Sequence, residues 1–198
     1  TTKTSDEIKT LITNAVTNYN TNTLQKFDSV LRYSKLLETI DDADTSILSN
    51  ITTLKLRKSF TPTLNSSTNY TVNFSNALYN PHSGHNTSAG GILSSTGFKV
   101  SGDSNVYFFD DDGQGNVRRY YLVGSVRTYV DNTAGTITYS SGAVAINALT
   151  MASIENIRGA ASTVIELTVT PSSNDIVPVR AQVIDIDVAN STFTVQAD

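Results

Sequence analysis

The stretch NVYFFDDDGQGNVRRYYLV, residues 105–123, decides how most of this chain is interpreted. Three aspartates and two glycines form its centre, and aromatic or β-branched residues flank that centre on both sides. Carboxylates and glycines at this density are typical of calcium-binding loops, whereas Asp-Gly between two β-forming segments is typical of a hairpin turn. The first interpretation makes the protein a metal-dependent binder, and the second makes the stretch a structural element.

A calcium loop of the EF-hand type that starts at Asp110 would need an oxygen ligand at its ninth position and a bidentate glutamate at its twelfth. Those positions hold Arg118 and Tyr121, a cation and a phenol. The dipeptide Asp112-Gly113 fits a hairpin, because a type I′ turn needs positive φ at both central residues. The stretch therefore predicts two antiparallel strands joined by a tight turn, and no calcium site.

After Pro62 the apolar residues recur with a period of two, as in half-buried strands. Gly, Asn, Asp and Ser separate these segments at the spacing expected of antiparallel sheets. The last two segments, within IDIDVANSTFTV, predict a hairpin that turns near Ala189 and Asn190. The predicted strands are residues 70–74, 91–100, 105–110, 117–128, 135–139, 143–149, 163–170, 179–188 and 192–195.

The N-terminal part of the chain has a helical period instead. Thr4 and Glu7 have the spacing of a capping box, and the apolar residues that follow at intervals of three and four predict an amphipathic helix. An extended segment is expected at residues 24–33, followed by a short helix capped by Ser34 and a strand within residues 51–60.

The fold class predicted from these patterns is α+β. A small N-terminal α/β subdomain with two helices and two strands is expected at residues 1–62, and a larger, mainly antiparallel β subdomain at residues 63–198. The chain begins Thr-Thr-Lys without an initiator methionine, which suggests a processed protein or a piece of a longer one.

The composition excludes several classes of partner. Only 16% of the residues are charged and the formal net charge is -4, which argues against nucleic acid or an anionic membrane as partner. The chain has no cysteine, so disulfides and thiolate chemistry are excluded. No apolar run approaches the length of about 18 residues that a membrane helix needs.

Residues that could carry chemistry are few. His82 and His85 have i, i+3 spacing in a Gly/Ser-rich loop, but zinc needs three or four positioned ligands and no third ligand is near them in sequence. A Ser-His-Asp triad needs an activated serine, and no G-x-S-x-G motif is present. The sequence therefore predicts no catalytic residue, no cofactor and no metal, and a protein that is not an enzyme.

Three separated blocks of the chain resemble a known family. The block at residues 24–62 contains RYSKLLETID, the acidic turn DDAD and the basic strand TTLKLRKSF, and it follows the N-terminal helix. AGTITYSSGAVAI lies at residues 134–146 and VTPSSNDIVPVRAQVIDID at residues 169–187. In this order the blocks are similar to the baseplate wedge protein of T4-like contractile-tail bacteriophages (gene product six type) and, more distantly, to the baseplate J-like family.

The resemblance implies a non-enzymatic structural subunit, and specifically its C-terminal portion. Copies would join each other and contact other wedge or hub proteins to build the wedge and close the baseplate ring. The implied location is the virion tail baseplate, assembled in the host cytoplasm. Because unpaired strand edges and turns invite pairing, the candidate interface residues are Asp110, Asp112, Asn116, Ala189 and Asn190.

Two alternatives stay open from the sequence. Tyr79, His82 and His85 lie in or beside the polar segment at residues 80–91, a composition that suits a receptor- or glycan-recognising tail module. The same building block would also suit the baseplate of another contractile device, such as a phage-derived secretion or killing particle.

Overall fold

The computed structural model describes residues 3–85, 91–179 and 182–196. Contacts divide the chain into two units, Thr1–Thr53 with Asn174–Asp198, and Leu54–Ser173. Two helices near the N-terminus and a mainly antiparallel β region confirm the predicted α+β class. Compactness alone does not show which parts fold independently, so the domains at residues 1–62 and 63–198 stay a prediction.

The first helix, α1 (Ser5–Tyr19), confirms the prediction from the capping box. The Thr4 hydroxyl accepts from the backbone N–H of Glu7, and the Glu7 carboxylate accepts from the backbone N–H of Thr4 over 2.7 Å. The helix buries Ile12 and Val16. Two of the N–H groups that every helix start leaves without a partner are thereby satisfied.

The expected extended segment at residues 24–33 is wrong. A π-helical turn, Asn20–Leu24, continues directly from α1 and buries Leu24 completely. Within the segment only Leu31 forms a β-bridge, and its partner is Ile176 in the same unit. Leu24 and Leu31 therefore pack into the core of the first unit from a turn and an irregular stretch, whereas Phe27 is 75% exposed.

The second helix, α2 (Tyr33–Asp41), begins one residue before the predicted cap. Ser34 lies inside the helix, and the actual N-cap residue, Arg32, makes no side-chain cap. Instead the carboxylate of Asp175 accepts the backbone N–H of Tyr33 over 2.8 Å and the Nη1 of Arg32 over 2.9 Å. The cap is thus supplied by a residue far along the chain.

The predicted terminal hairpin is wrong for the residues that the structure describes. Residues 182–196 contain a 3₁₀ turn, Val188–Asn190, and no strand. The segment hydrogen-bonds instead to the side chain of Asn20. The Nδ2 of Asn20 donates to Asp185 over 2.8 Å, and its Oδ1 accepts the N–H of Ile186 over 2.8 Å. A side chain therefore replaces a neighbouring strand as hydrogen-bond partner.

The second unit carries all nine strands found in the described residues. They are β1 (Leu56–Phe60), β2 (Ser67–Asn73), β3 (Ser94–Ser95), β4 (Phe98–Val100), β5 (Tyr107–Asp111), β6 (Asn116–Val123), β7 (Val126–Thr138), β8 (Ala143–Ile154) and β9 (Ile165–Val169).

These strands form two antiparallel sheets. A three-stranded sheet has the order β1-β9-β3, and a six-stranded sheet has the order β2-β8-β4-β5-β6-β7. Strand β7 also pairs with β8, which closes the strands from β8 to β7 into a barrel. Phe98, Phe109 and Met151 are completely buried in the core of this unit.

Strand boundaries differ from the prediction where a turn was missed. The expected single strand at residues 117–128 is two strands, because the chain reverses at Gly124 with a φ of 62°. Gly135 is required where β7 begins to pair with β8, since a Cβ there would overlap the carbonyl oxygen of Ala145. No helix among the described residues has the length and apolar character to cross a membrane.

Candidate functional site

The aspartate-rich stretch forms the predicted hairpin, but the two-residue turn predicted at Asp112-Gly113 is wrong, because the reversal spans residues 112–116 with positive φ at Gly113 and Gly115. Strands β5 and β6 pair in the register Asp111 to Val117, and the backbone N–H of Asp112 donates to the carbonyl of Asn116 over 3.1 Å. The Oδ1 of Asp112 accepts the N–H groups of Gln114 and Asn116, and its Oδ2 accepts the Asn116 side chain over 2.6 Å. Burial alone would raise the pKa of Asp112, but these hydrogen bonds outweigh it and lower the pKa.

Asp110 joins three neighbouring strands from a nearly closed site, with 1% of its surface exposed. Its Oδ1 accepts the Nε of Arg118 from β6 over 2.9 Å. Its Oδ2 accepts the Nη1 of Arg127 and the hydroxyl of Tyr129 from β7, each over 2.7 Å. Burial raises the pKa of Asp110, while the two guanidinium groups and the phenol act in the opposite direction.

Asp111 is completely buried and binds a different set of donors. Its Oδ1 accepts the backbone N–H groups of Ile92 and Leu93 over 2.6 and 2.7 Å. Its Oδ2 accepts the hydroxyl of Tyr139 over 2.6 Å and, more weakly, the N–H of Gly113 over 3.3 Å. Burial and this hydrogen bond to Asp111 raise the pKa of Tyr139.

The three carboxylates therefore have structural partners, and each has its own. A shared calcium ion would require their oxygens to converge on one point. Here they bind two arginines, two tyrosines, an asparagine and backbone N–H groups. Among the described residues no group of three or more His, Asp or Glu side chains could hold a metal ion.

The predicted interface residues fall into two places. Asp112 and Asn116 are half-buried in the turn, with the Asp110 carboxylate buried behind them. Ala189 and Asn190 are exposed in the 3₁₀ turn, where Asn190 donates to Asp187 over 2.7 Å. Their role at an interface stays a prediction.

Sequence reasoning missed an exposed apolar surface on β6 and β7. Leu122, Val123 and Val126 are 45%, 60% and 69% exposed. We call residues 122–131 the β6–β7 arm, because in the described structure this part of β7 pairs with β6 alone, whereas β8 joins β7 only from Gly135. The signal in the sequence was Gly124-Ser125 between two β-branched runs, which marks a tight turn.

The N-terminal part of the chain matches a known protein-family model. Residues 1–59 match the model of the baseplate structural protein gp6, C-terminal domain III. The matched residues include α1, α2 and most of β1. No curated protein matches the chain. The match confirms the resemblance to a gp6-type baseplate protein over residues 1–59, and the blocks at residues 134–146 and 169–187 lie outside it.

Proposed function

We propose that this chain, whose residues 1–59 carry a gp6-type baseplate structural domain, builds the wedge of a contractile tail by binding copies of itself and other baseplate proteins. The family match supports a structural subunit of a phage tail baseplate. The contacts within and between wedges, the closure of the ring and assembly in the host cytoplasm are the parts that we propose.

The observation that carries the proposal is the match over residues 1–59. The hydrogen bonding of the second unit agrees with a non-enzymatic role. Its two buried carboxylates, Asp110 and Asp111, tie strands and a loop together. Buried charges that are fully paired hold one arrangement of the chain in place, which suits a subunit that must present a fixed surface to its neighbours.

The β6–β7 arm is the surface that we propose for the contact between two copies. Exposed apolar residues grouped on one element are typical of protein–protein contact sites. The outer edge of β7 along Val126–Asp131 has no strand partner in the described structure, and an unpaired edge can add a strand from another chain. Because a two-fold dimer uses the same patch on both subunits, one such arm is sufficient for a closed contact.

Heterotypic contacts are proposed for the turns predicted from the sequence. Asp112 and Asn116 shape the β5–β6 turn, Asp110 binds Arg118 of β6 beside it, and Ala189 and Asn190 lie in the exposed 3₁₀ turn. Turns that are rigidly hydrogen-bonded lose little freedom on binding, which favours association.

The first test is the solution mass of the chain by multi-angle light scattering over a dilution series. A dimer that persists on dilution and does not respond to calcium supports the proposal. Monomers at every concentration would contradict the homotypic contact. A calcium-dependent mass would contradict the structural role that the hairpin geometry gives to the aspartates.

A further inference from the structure

The two histidines meet in the loop that precedes β3. The Nε2 of His82 and the Nδ1 of His85 lie 3.0 Å apart, and the ring centroids are 4.6 Å apart with an interplanar angle of 80°. Both side chains are exposed. They are the only histidines of the chain, which also lacks cysteine, so the imidazoles of this protein are gathered in one place.

A linear hydrogen bond between the rings does not account for both distances. We call the line from a ring centroid to its facing nitrogen the ring axis. If both ring axes lay along the nitrogen–nitrogen line, as in a linear hydrogen bond, the centroids would lie about 5.3 Å apart. The observed 4.6 Å is clearly shorter. The ring axes therefore lean away from that line, by about 45° each when the bend is shared equally, and a bend of that size weakens a hydrogen bond.

A shared metal ion reproduces both distances. An ion about 2.1 Å from each nitrogen, with an N–metal–N angle of about 90°, places the nitrogens about 3.0 Å and the centroids about 4.6 Å apart. The tetrahedral angle of zinc sites would separate the nitrogens by about 3.4 Å instead. We propose that His82 and His85 form a bidentate imidazole site for a divalent transition-metal ion of the Cu²⁺ or Ni²⁺ class, which favours angles near 90°.

The hydrogen bonding of His82 supports this assignment. Its Nδ1 lies 3.3 Å from the carbonyl oxygen of Ser83, an atom that can only accept. This contact favours a proton on Nδ1, which leaves on the Nε2 that faces His85 the lone pair that a metal needs. A backbone carbonyl that fixes the tautomer of a ligating histidine in this way is the usual support of imidazole metal sites.

The loop is held in the shape that the site requires. The N–H of His85 donates to the carbonyl of His82 over 3.1 Å, and Gly84 between them has a φ of 78°. The N–H of Gly84 and the side chain of Asn80 both donate to the carbonyl of Gly113 in the β5–β6 turn, over 2.8 and 3.2 Å. The backbone that carries the two imidazoles is thus held by hydrogen bonds, while the exposure of the rings leaves the other coordination positions to water.

The test is a titration of the untagged full chain with Cu²⁺ and with Ni²⁺, followed by calorimetry and, for Cu²⁺, by electron paramagnetic resonance. We expect one saturable site per chain and hyperfine splitting from two nitrogens. His82→Gln and His85→Gln should each abolish the two-nitrogen signal and weaken binding at least about tenfold. Ser83→Ala keeps both imidazoles and the backbone carbonyl, so it should bind like the wild type.

Two results would overturn the proposal. One is no saturable binding of either ion by wild-type chain whose circular dichroism shows that it is folded. The other is binding that remains unchanged in both glutamine variants, which would place the ion elsewhere. Neither result bears on the proposed assembly role, because the site is argued from the loop geometry alone.

Discussion

Asp175 caps the helix that begins at Tyr33, although 142 residues separate them in the chain. The backbone N–H of Tyr33 donates to the Oδ1 of Asp175 over 2.8 Å, and Arg32 holds the other carboxylate oxygen. Helix starts leave backbone N–H groups without partners, and they are usually satisfied by a side chain just before the helix. Here the sequence before α2 offers none, and the C-terminal segment supplies it.

Removing this cap should lower the stability of the first unit. We expect Asp175→Ala to lower the melting temperature by roughly 2–4 °C, since it deletes an N-cap acceptor. Asp175→Asn is the matched control, because asparagine caps helices about as well as aspartate. Thermal unfolding followed by far-UV circular dichroism checks both. Equal melting temperatures for the two variants would show that the oxygen acceptor does not matter.

The stabilisation by the same cap should decrease at acidic pH. The backbone hydrogen bond from Tyr33, then the one from Arg32, lowers the pKa of Asp175 in the folded chain. A carboxyl whose folded pKa is lowered stabilises the protein above its unfolded pKa of about 3.9 and loses that contribution as the pH falls through the folded value. The difference in melting temperature between wild type and Asp175→Ala should therefore shrink below about pH 4.

Tyr139→Phe should destabilise the second unit by about 1–3 kcal/mol, because it removes a buried hydrogen bond to the Asp111 carboxylate. Urea unfolding at neutral pH measures the change. Tyr79→Phe is the control, since Tyr79 is 41% exposed and the change should alter stability by less than about 0.5 kcal/mol.

Measurements at alkaline pH distinguish the hydrogen bond of the Tyr139 hydroxyl from the packing of its ring. Burial and the bond to Asp111 raise the pKa of Tyr139 in the folded chain. Its contribution is complete below the unfolded tyrosine pKa of about 10 and is lost as the pH rises above it. The gap in stability between wild type and Tyr139→Phe should narrow above pH 10. A gap that stays constant would contradict the hydrogen bond.

Asp110→Ala should cost about 3–5 kcal/mol, because it leaves Arg118 and Arg127 near a buried site without the carboxylate that they share. Guanidinium chloride unfolding followed by tyrosine fluorescence measures this loss. Asp6→Ala removes an exposed carboxylate on α1 and should stay within about 0.5 kcal/mol. A loss of less than about 1 kcal/mol in Asp110→Ala would show that water can replace the carboxylate.

Val126→Lys should weaken self-association of the chain at least about tenfold, since a charge on the β6–β7 arm opposes both apolar contact and edge pairing. The side chain is already exposed, so folding should be unaffected. Val183→Lys changes another exposed valine, outside the arm, and should leave association unchanged. Sedimentation velocity over a dilution series checks both, and equal weakening by the two variants would contradict the arm as the joint.

Local sequence patterns predicted the elements whose partners are local. Thr4 and Glu7 cap α1 within one turn, and residues 112–116 reverse the chain inside a two-stranded hairpin. Both were predicted because the atoms that stabilise them are only a few residues apart. The helix at α2 was also predicted, but its cap was not, because Asp175 is distant in the chain.

The errors have the same origin. The alternation in residues 182–188 suggested a strand, yet the polar groups there bind the Asn20 side chain instead of a neighbouring strand. The aspartates at 110 and 111 look equivalent in sequence. Their different partners, two arginines for one and the N–H groups of Ile92 and Leu93 for the other, depend on how distant strands pack.

The first unit is built from both ends of the chain, so its two parts are made at different times during synthesis on the ribosome. Residues 54–173 form the second unit and emerge complete before the segment that carries Asp175, Ile176 and Asp185. Helices α1 and α2 are translated before the second unit, but α2 lacks its cap, Leu31 its bridge partner and Asn20 its amide partner until that segment is made. A chain stopped near residue 173 would therefore contain both helices and every described strand but would lack the cap of α2, the bridge partner of Leu31 and the amide partner of Asn20.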